Sequence, residues 1–515
     1  MNFRVCILTA GTGSRLGSAT SHINKSLIGV GDRAAITRIV EKFSTSTEFV
    51  VAVGHHGNLV KEYLSHAHPH RKFIFVEVDP YEGPGSGPGL SLCLCKEFLQ
   101  CPFIFISCDT LVDDVIPPPD ENWMGHSGEI VLNGQYRSIL ASDGVVLKIL
   151  EKGESEQTSF PYIGLAGIFD YQVFWDSMNE DSFEVGDAHG LRSLVPYGIK
   201  AKGFKWFDTG NQESLSRSRA HYQVEGSPNI LEKEGECIWF TDDRVVKFSI
   251  DKGFISDRVK RAQKMCGFVP QVIRSSENMY SYVKANGKVL SETVNPRVFE
   301  DFMNHCKEFW SKSEVVDQAS FRKLCLKFYR DKTLERLQMF YKLKGDQDKV
   351  GYINGVKVEP LSKILEEIDW NWLSDGIPSR FHGDLHFENV IHNDEGGFTF
   401  LDWRQNFAGN MEVGDVYYDL AKLHHGMIMS HELVLANQFR VSSCNESASY
   451  DFHRKNSLVE CERQFESWVV LNGYDWKKVR ALTALIFLNI APLHHDPYNQ
   501  LLYFLGREMI SRLHE

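Results

Sequence analysis

A chain of 515 residues exceeds what one hydrophobic core supports, so two or three domains are expected. The net charge of −12 excludes a sequence-independent nucleic-acid binder, which needs a surplus of Lys and Arg, and leaves only local basic pockets for phosphates. The cysteines are scattered, odd in number (11) and without paired CxxC units, which excludes a disulfide framework and a structural zinc site.

The opening MNFRVCILTAG is too soon interrupted to be read as a signal peptide, and no window approaches a membrane span. A cytoplasmic protein acting on small molecules, with neither nucleic acid nor membrane as partner, is therefore expected. The oligomeric state, a homo-oligomer included, stays open.

In chain order, strand and helix periods alternate over roughly the first 220 residues. Strands are predicted at Arg4–Thr9, Phe49–Val53, Lys72–Val78 and Phe103–Ser107, and helices at Ala34–Phe43, Leu59–His66 and Leu90–Leu99. Such alternation gives an α/β fold, a mixed and mainly parallel sheet covered on both faces, with ligands beyond the carboxyl ends of the strands. A linker is read in EGSPN around Glu225–Ile230. Short strands follow at Cys237–Phe240, Val245–Ser249 and Met279–Val283, and amphipathic helices dominate from Pro296 onward. The predicted domains are 1–225 and 230–515, the latter with a small lobe over 230–290 and a helical lobe over 291–515.

Two stretches carry chemistry. The first, AGTGSRLG, directly follows the first strand; its glycines let several backbone N–H groups converge on phosphate oxygens, and Arg15 adds a fork of donors suited to polyphosphate. Lys25 in NKSL neutralises phosphate. Asp109 in FIFISCDT and Asp208 in KWFDTG are strand-end carboxylates, costly there unless they meet metal or donors, and together they can hold Mg²⁺. This order of motifs resembles the sugar-1-phosphate and phosphocholine nucleotidyltransferases, which have a Rossmann-like sheet. The resemblance implies a nucleotide held by Ala10, Gly11, Gly13, Ser14, Arg15 and Lys25, with Arg15 and Lys25 on the triphosphate and Asp109 and Asp208 on Mg²⁺. It also implies in-line attack of a substrate phosphate on the α-phosphorus. GPGSGPGLSL takes the place of a base-contacting segment, with Gly85, Ser86 and Gly87; Glu151-Lys152 and Gly164 resemble acceptor-contacting elements, and Asp187 is a further acceptor candidate.

The second stretch is FHGDLHFENVIHNDEGGFTFLDWR, Phe381–Arg404. Asp384 and Asn389 have the Asp-to-Asn spacing of protein-kinase catalytic loops, followed after a strand pair by Asp402. Asp384 orients an acceptor hydroxyl and takes its proton, while Asn389 and Asp402 supply hard oxygen ligands for Mg²⁺ on ATP phosphates. The stretch resembles the aminoglycoside phosphotransferase and choline kinase family, a protein-kinase-like α+β fold. That implies Asp384 as catalytic base, Asn389 and Asp402 on metal, His382 supporting the loop, and Asp415 and Asp419 as structural acids. Lys247 in RVVKFS fits a phosphate-contacting lysine, although no glycine-rich loop precedes it, and Asp257 is the candidate for its acidic partner. The pairs His424-His425 and His494-His495 are read as core or pocket residues, since neither has a third ligand at zinc-like spacing.

Together these imply a bifunctional enzyme. One half phosphorylates a small sugar or amino alcohol with ATP; the other joins the product to a nucleotidyl group, CTP or UTP being favoured by analogy, for surface polysaccharide or lipid modification. The alternative keeps the transferase and gives the kinase-like half an unrelated substrate or a ligand-binding role.

Overall fold

The computed structural model describes residues 3–128, 135–154, 159–178, 186–223, 235–311, 316–444 and 446–514. The linker read around 225–230 lies outside them. The chain forms two compact units, Met1–Ile255 with Ile273–Lys284, and Ser256–Val272 with Ala285–Glu515.

The first unit is built on a mixed sheet. Arg4–Leu8, Glu48–Val53, Lys72–Glu77 and Phe103–Ser107 run parallel, and their near-continuous apolar runs suit strands covered on both faces. The register pairs Leu8 with Ala52 and with Ser107, so the strands end together and the glycine turn and Asp109 leave from the same edge. Beyond Phe103–Ser107 the sheet turns largely antiparallel, through Ser159–Ile168, Trp123–Ser127, Ser138–Ser142 and Val145–Leu150, with Lys200–Phe204 parallel to Trp123–Ser127. The expected helices are found at Ala35–Val40, Gly57–Ala67 and Pro88–Leu94.

A smaller antiparallel sheet of Glu236–Phe240, Arg244–Ser249, Met279–Val283 and Val272–Ser275 follows. Its strands group with the first unit, apart from the residue Val272 at the boundary. Trp239, Val246, Phe248 and Met279 are buried in one core with Leu27, Tyr63 and Leu64. The Trp239 indole N–H donates to the Leu27 carbonyl (2.8 Å), and its ring meets Tyr63 edge-on. His66, on the helix Gly57–Ala67, lies between Ser281 (2.9 Å from Nδ1) and Ser276 (3.0 Å from Nε2).

The second unit is mostly helical. Pro296–Trp310 starts at Asn295, whose side chain accepts from two first-turn N–H groups. Gln318–Leu326 passes through a π-helical turn, Lys327–Asp331, into Lys332–Lys344. Val416–Ile428 is buried on every side, packed against Asn456–Leu471 and against Trp476–Ile490, which is itself largely buried. The strand pair expected before Asp402 is the hairpin Val390–Asn393 to Phe398–Phe400, which turns at NDEGG. Among the described residues no helix is long and apolar enough to cross a membrane.

Candidate functional site

In the first unit, Gly13 sits at φ 68, and a side chain there would press on Thr20 and Lys25 at about 3 Å. Asn24 then fixes the segment that carries Lys25: its Oδ1 accepts the Ser26 N–H (2.9 Å), and its amide donates to the Thr9 (2.8 Å) and His55 (2.6 Å) carbonyls. The Lys25 ammonium is thereby delivered to the Asp109 carboxylate, with which it forms an ion pair. Burial opposes both charges, but their pairing, helped by the neighbouring groups, leaves the lysine raised and the aspartate lowered from their ordinary values.

Asp208 arrives from far along the chain. Trp206–Asp208 pairs antiparallel with Thr110–Val112, setting Asp208 opposite Thr110, and the Thr209 N–H donates to the Asp109 carbonyl (3.0 Å). A Cβ built on Gly210 would lie 2.9 Å from Asp208 Oδ1 and 3.1 Å from Asp109 Oδ2, so the two carboxylates flank one glycine. Asp208 also accepts from the Gly210 N–H (2.8 Å) and the Tyr136 hydroxyl (2.9 Å). A cleft of about 330 Å³ opens here, lined by Ala10, Gly11, Gly13, Ser14, Arg15 and Lys25, and by Ser86, Gly87, Asp109 and Gly210. Gly85 is outside that lining, with open space around it.

The acceptor candidates are differently placed. Glu151 is held by Arg137 (3.0 Å) and by Arg192. Lys152 is exposed; partial desolvation and then Arg137 and Arg15 lower its pKa. Asp187 is buried, accepts the Tyr162 hydroxyl, and is raised by burial, which makes it a poor free anion for a ligand. Gly164 (φ 70) lets its strand pass Ser107, whose Oγ would be 2.7 Å from a Cβ at that position.

Lys247 lies within Arg244–Ser249, buried, its ammonium 6.0 Å from the Tyr282 ring centroid.

In the second unit, Asp419 accepts the backbone N–H groups of His382 and Gly383 (both 2.7 Å) and the Trp310 indole (3.0 Å), which fixes the loop leading to Asp384. His382 Nε2 donates to the Leu401 carbonyl (2.7 Å), leaving Nδ1 to accept the Asp384 N–H (3.2 Å). Burial keeps that ring neutral by pushing its pKa down to about 3. Asp415 plays the parallel role for Ile377 N–H (2.9 Å) and the Tyr329 hydroxyl (2.7 Å).

Asp384 itself has divided oxygens. Oδ1 lies 2.7 Å from Lys422 Nζ, and Oδ2 lies 3.4 Å from Asn389 Nδ2. Burial works against its charge, but Lys422, together with His386 and His382, holds the carboxyl well below its usual range. Asn389 also donates to the Asp384 carbonyl (3.0 Å), and its own backbone carbonyl accepts the Leu401 N–H (2.8 Å), placing Asp402 one residue on. Asp402 takes a left-handed φ of 57, uncommon for a non-glycine residue, and its Oδ1 accepts from Arg258 (2.9 Å). Asp257, the acidic candidate from the sequence, has no ion pair among the described residues, whereas its neighbour Arg258 is engaged. His424 is a core residue between Thr483 (3.0 Å) and Glu462 (2.9 Å).

Lys422, Arg258 and Tyr136 were not singled out in the sequence. Lys422 had a signal: a lysine inside the otherwise apolar helix YYDLAKLHHGMI, three residues past Asp419 and so on its face.

Hard oxygen donors suit Mg²⁺ at both places. Asp109 and Asp208 bracket Gly210, and Asn389 donates all its amide bonds through Nδ2, leaving Oδ1 free of partners among the described residues. Among those residues no cluster of three or more His, Cys, Asp or Glu side chains forms a metal site, so phosphate and water would have to complete either shell.

Comparison with known proteins finds a different likeness for each end of the chain. Residues 316–454 match the model of the phosphotransferase enzyme family, a span that includes Asp384, Asn389, Asp402 and Asp419. The N-terminal region is similar to the bifunctional protein GlmU of Methanococcus maripaludis: 22% identical over 232 residues for strain C5 and 25% over 228 residues for strain S2, in each case 42% of this chain and 53% of the relative. The chain thus spans about half the length of these curated relatives. Among solved structures, a UDP-glucose pyrophosphorylase complexed with UDP-glucose aligns at 16% identity and TM-score 0.38, over 43% of this chain and 98% of that one. A CTP:phosphocholine cytidylyltransferase from Streptococcus pneumoniae aligns at 15% and 0.34, over 43% and 100%.

Proposed function

We propose that the chain is a two-step transferase. The second half phosphorylates a small alcohol with ATP, and the first half couples the phosphorylated product to a nucleotidyl group from an NTP, a pyrimidine NTP being favoured. The observation that carries this reading is that each unit sets a lysine against an acid: Lys25 with Asp109 near Asp208 in one, gathered from distant parts of the chain, and Lys422 with Asp384 beside Asn389 in the other.

In the first half, Lys25, Arg15 and the glycine turn neutralise and orient the triphosphate, so the acceptor phosphate meets the α-phosphorus in line. In the second, Asp384 orients the hydroxyl and takes its proton, while Asn389 and Asp402 would hold the metal. A Mg²⁺ held there would supply positive charge against the charge that develops on the phosphates. Pathway placement in surface polysaccharide or lipid modification, and a cytoplasmic setting, belong to the same proposal.

The test supplies the full chain with ATP, an NTP and unphosphorylated alcohol, and follows formation of the NDP-linked product. Asp384→Ala is expected to require pre-phosphorylated acceptor. Consumption of the free alcohol by Asp384→Ala at the normal rate overturns the assignment. A second reading, in which the kinase-like half binds ligand without turnover, draws support from Arg258 on Asp402. Mg²⁺-dependent ADP release by the full chain with Asp208→Asn excludes it.

A further inference from the structure

The charge of Asp384 acts on Lys332 against those of Arg404, Lys422 and Arg336. On the helix Lys332–Lys344, the Lys332 ammonium stands 4.5 Å from the Phe328 ring centroid and 5.9 Å from that of Tyr418. The Arg404 guanidinium stands over the same Phe328 ring at 5.0 Å. Arg404 is tied to the Asp384 loop, since a Cβ on Gly383 would lie 2.6 Å from the arginine's Cβ. Lys422 is one turn beyond Tyr418 and touches Asp384 Oδ1, the oxygen distinct from the one nearest Asn389. Arg336 is one turn beyond Lys332, and its charge acts on Lys332 together with those of Arg404 and Lys422.

The carboxylates do not balance this set. Asp384 is committed to Lys422, Asp331 pairs with Arg330 (3.0 Å), and Glu335 is exposed. Among the described residues neither Lys332 nor Arg404 has a carboxylate partner, and Arg404 Nε is buried with no hydrogen bond. Burial and then the neighbouring cations push Lys332 down to about 6, so its charged form is disfavoured as the pocket stands. A pocket that takes a quaternary or protonated amine presents bare aromatic faces and acids. Here the Phe328 face already carries Arg404 and Lys332, and the Lys332 amine also stands near Tyr418.

We propose that the alcohol phosphorylated at Asp384 carries an anionic group of its own, a carboxylate or a phosphate, seated against Lys332, Arg404 and Lys422. This rests on the phosphotransfer reading above and narrows its acceptor away from amino alcohols. In the step, the hydroxyl proton passes to Asp384 while the acceptor oxygen bonds to the γ-phosphorus of ATP. The bond from that phosphorus to the bridging oxygen breaks, and ADP leaves with the electron pair. The anionic group takes no part in bond making; it anchors the molecule.

The test is calorimetric titration of the full chain with D-glycerate, glycerol 3-phosphate, glycerol and choline, and separately with ATP and Mg²⁺. Expected is binding of the two anions at least about tenfold tighter than glycerol or choline, weakened about tenfold in Lys332→Met with ATP affinity unchanged. Lys332→Arg, which keeps the charge, is expected to retain anion binding and covers the case in which Lys332→Met does not fold. Equal or better binding of glycerol or choline, no binding of either anion, or anion affinity unchanged in Lys332→Met overturns the proposal. Loss of ATP affinity instead of anion affinity in Lys332→Met assigns the cations to the γ-phosphate and also overturns it. Lys332-dependent anion binding without ADP release from any alcohol upholds the anion site and defeats the phosphotransfer reading alone.

Discussion

Lys422 Nζ lies 2.7 Å from Asp384 Oδ1, and the lysine is the more deeply buried of the two, its side chain 11% exposed against 38%. The pair favours the charged form of Asp384 and fixes which of its oxygens faces Asn389. Lys422→Met is expected to lower ATP-dependent turnover on the order of a hundredfold, with a smaller loss of stability because Asp384 keeps partial access to water. Steady-state kinetics beside a urea titration separates the two effects; a stability loss without a rate loss rejects the role.

Gly210→Ala places a methyl between Asp208 Oδ1 and Asp109 Oδ2, at 2.9 and 3.1 Å. Its backbone is not left-handed, so the fold tolerates the change. Nucleotidyl transfer is expected to fall on the order of a hundredfold with thermal stability shifted by no more than about 1 kcal/mol. Pyrophosphate release measured against the melting curve checks both halves of the prediction.

Asp419→Ala strands three donors, the His382 and Gly383 N–H groups and the Trp310 indole. At about 1–3 kcal/mol for each buried unmet donor, a loss on the order of 4 kcal/mol is expected after relaxation. Chemical denaturation reads it, and hydrogen exchange is expected to quicken at His382 and Gly383 first.

His66 is neutral in the native state, because burial pushes its pKa down to about 4. The unfolded chain, with an ordinary histidine near 6.5, binds the proton first, so this stabilisation is complete above about pH 6.5 and is lost as pH falls toward 4. The full effect is about 3 kcal/mol. Urea midpoints of the native protein and His66→Asn between pH 7.5 and 5 are expected to diverge at the upper end and converge at the lower. A parallel pair of curves contradicts it.

Much of this was legible from residue order because it is local. Parallel strands announced themselves as apolar runs closed by glycine turns: Phe103–Ser107 was predicted to the residue and Arg4–Leu8 within one. Asp384, Asn389 and Asp402 were readable from spacing, since one loop and one hairpin carry them. The antiparallel strands between 123 and 168 were not, because runs such as WMGHS and SILAS interrupt the apolar period and are held by partners far away in sequence. Lys332, Lys422 and Arg258 were missed for a different reason: a basic residue on a helix reads as solvated until its neighbours are known. The packing of Trp239 against Leu27 and Tyr63 is wholly non-local, and nothing around EGSPN foretells it.

That last contact has a practical side for anyone dividing the gene. A fragment ending near residue 223 would keep Leu27 and Tyr63 but lose their indole lid, and one beginning near 235 would carry Trp239 with nowhere to put it. Each piece would display a sticky apolar face, so failure of either to stay in solution would report the severed seam and say nothing about its catalysis.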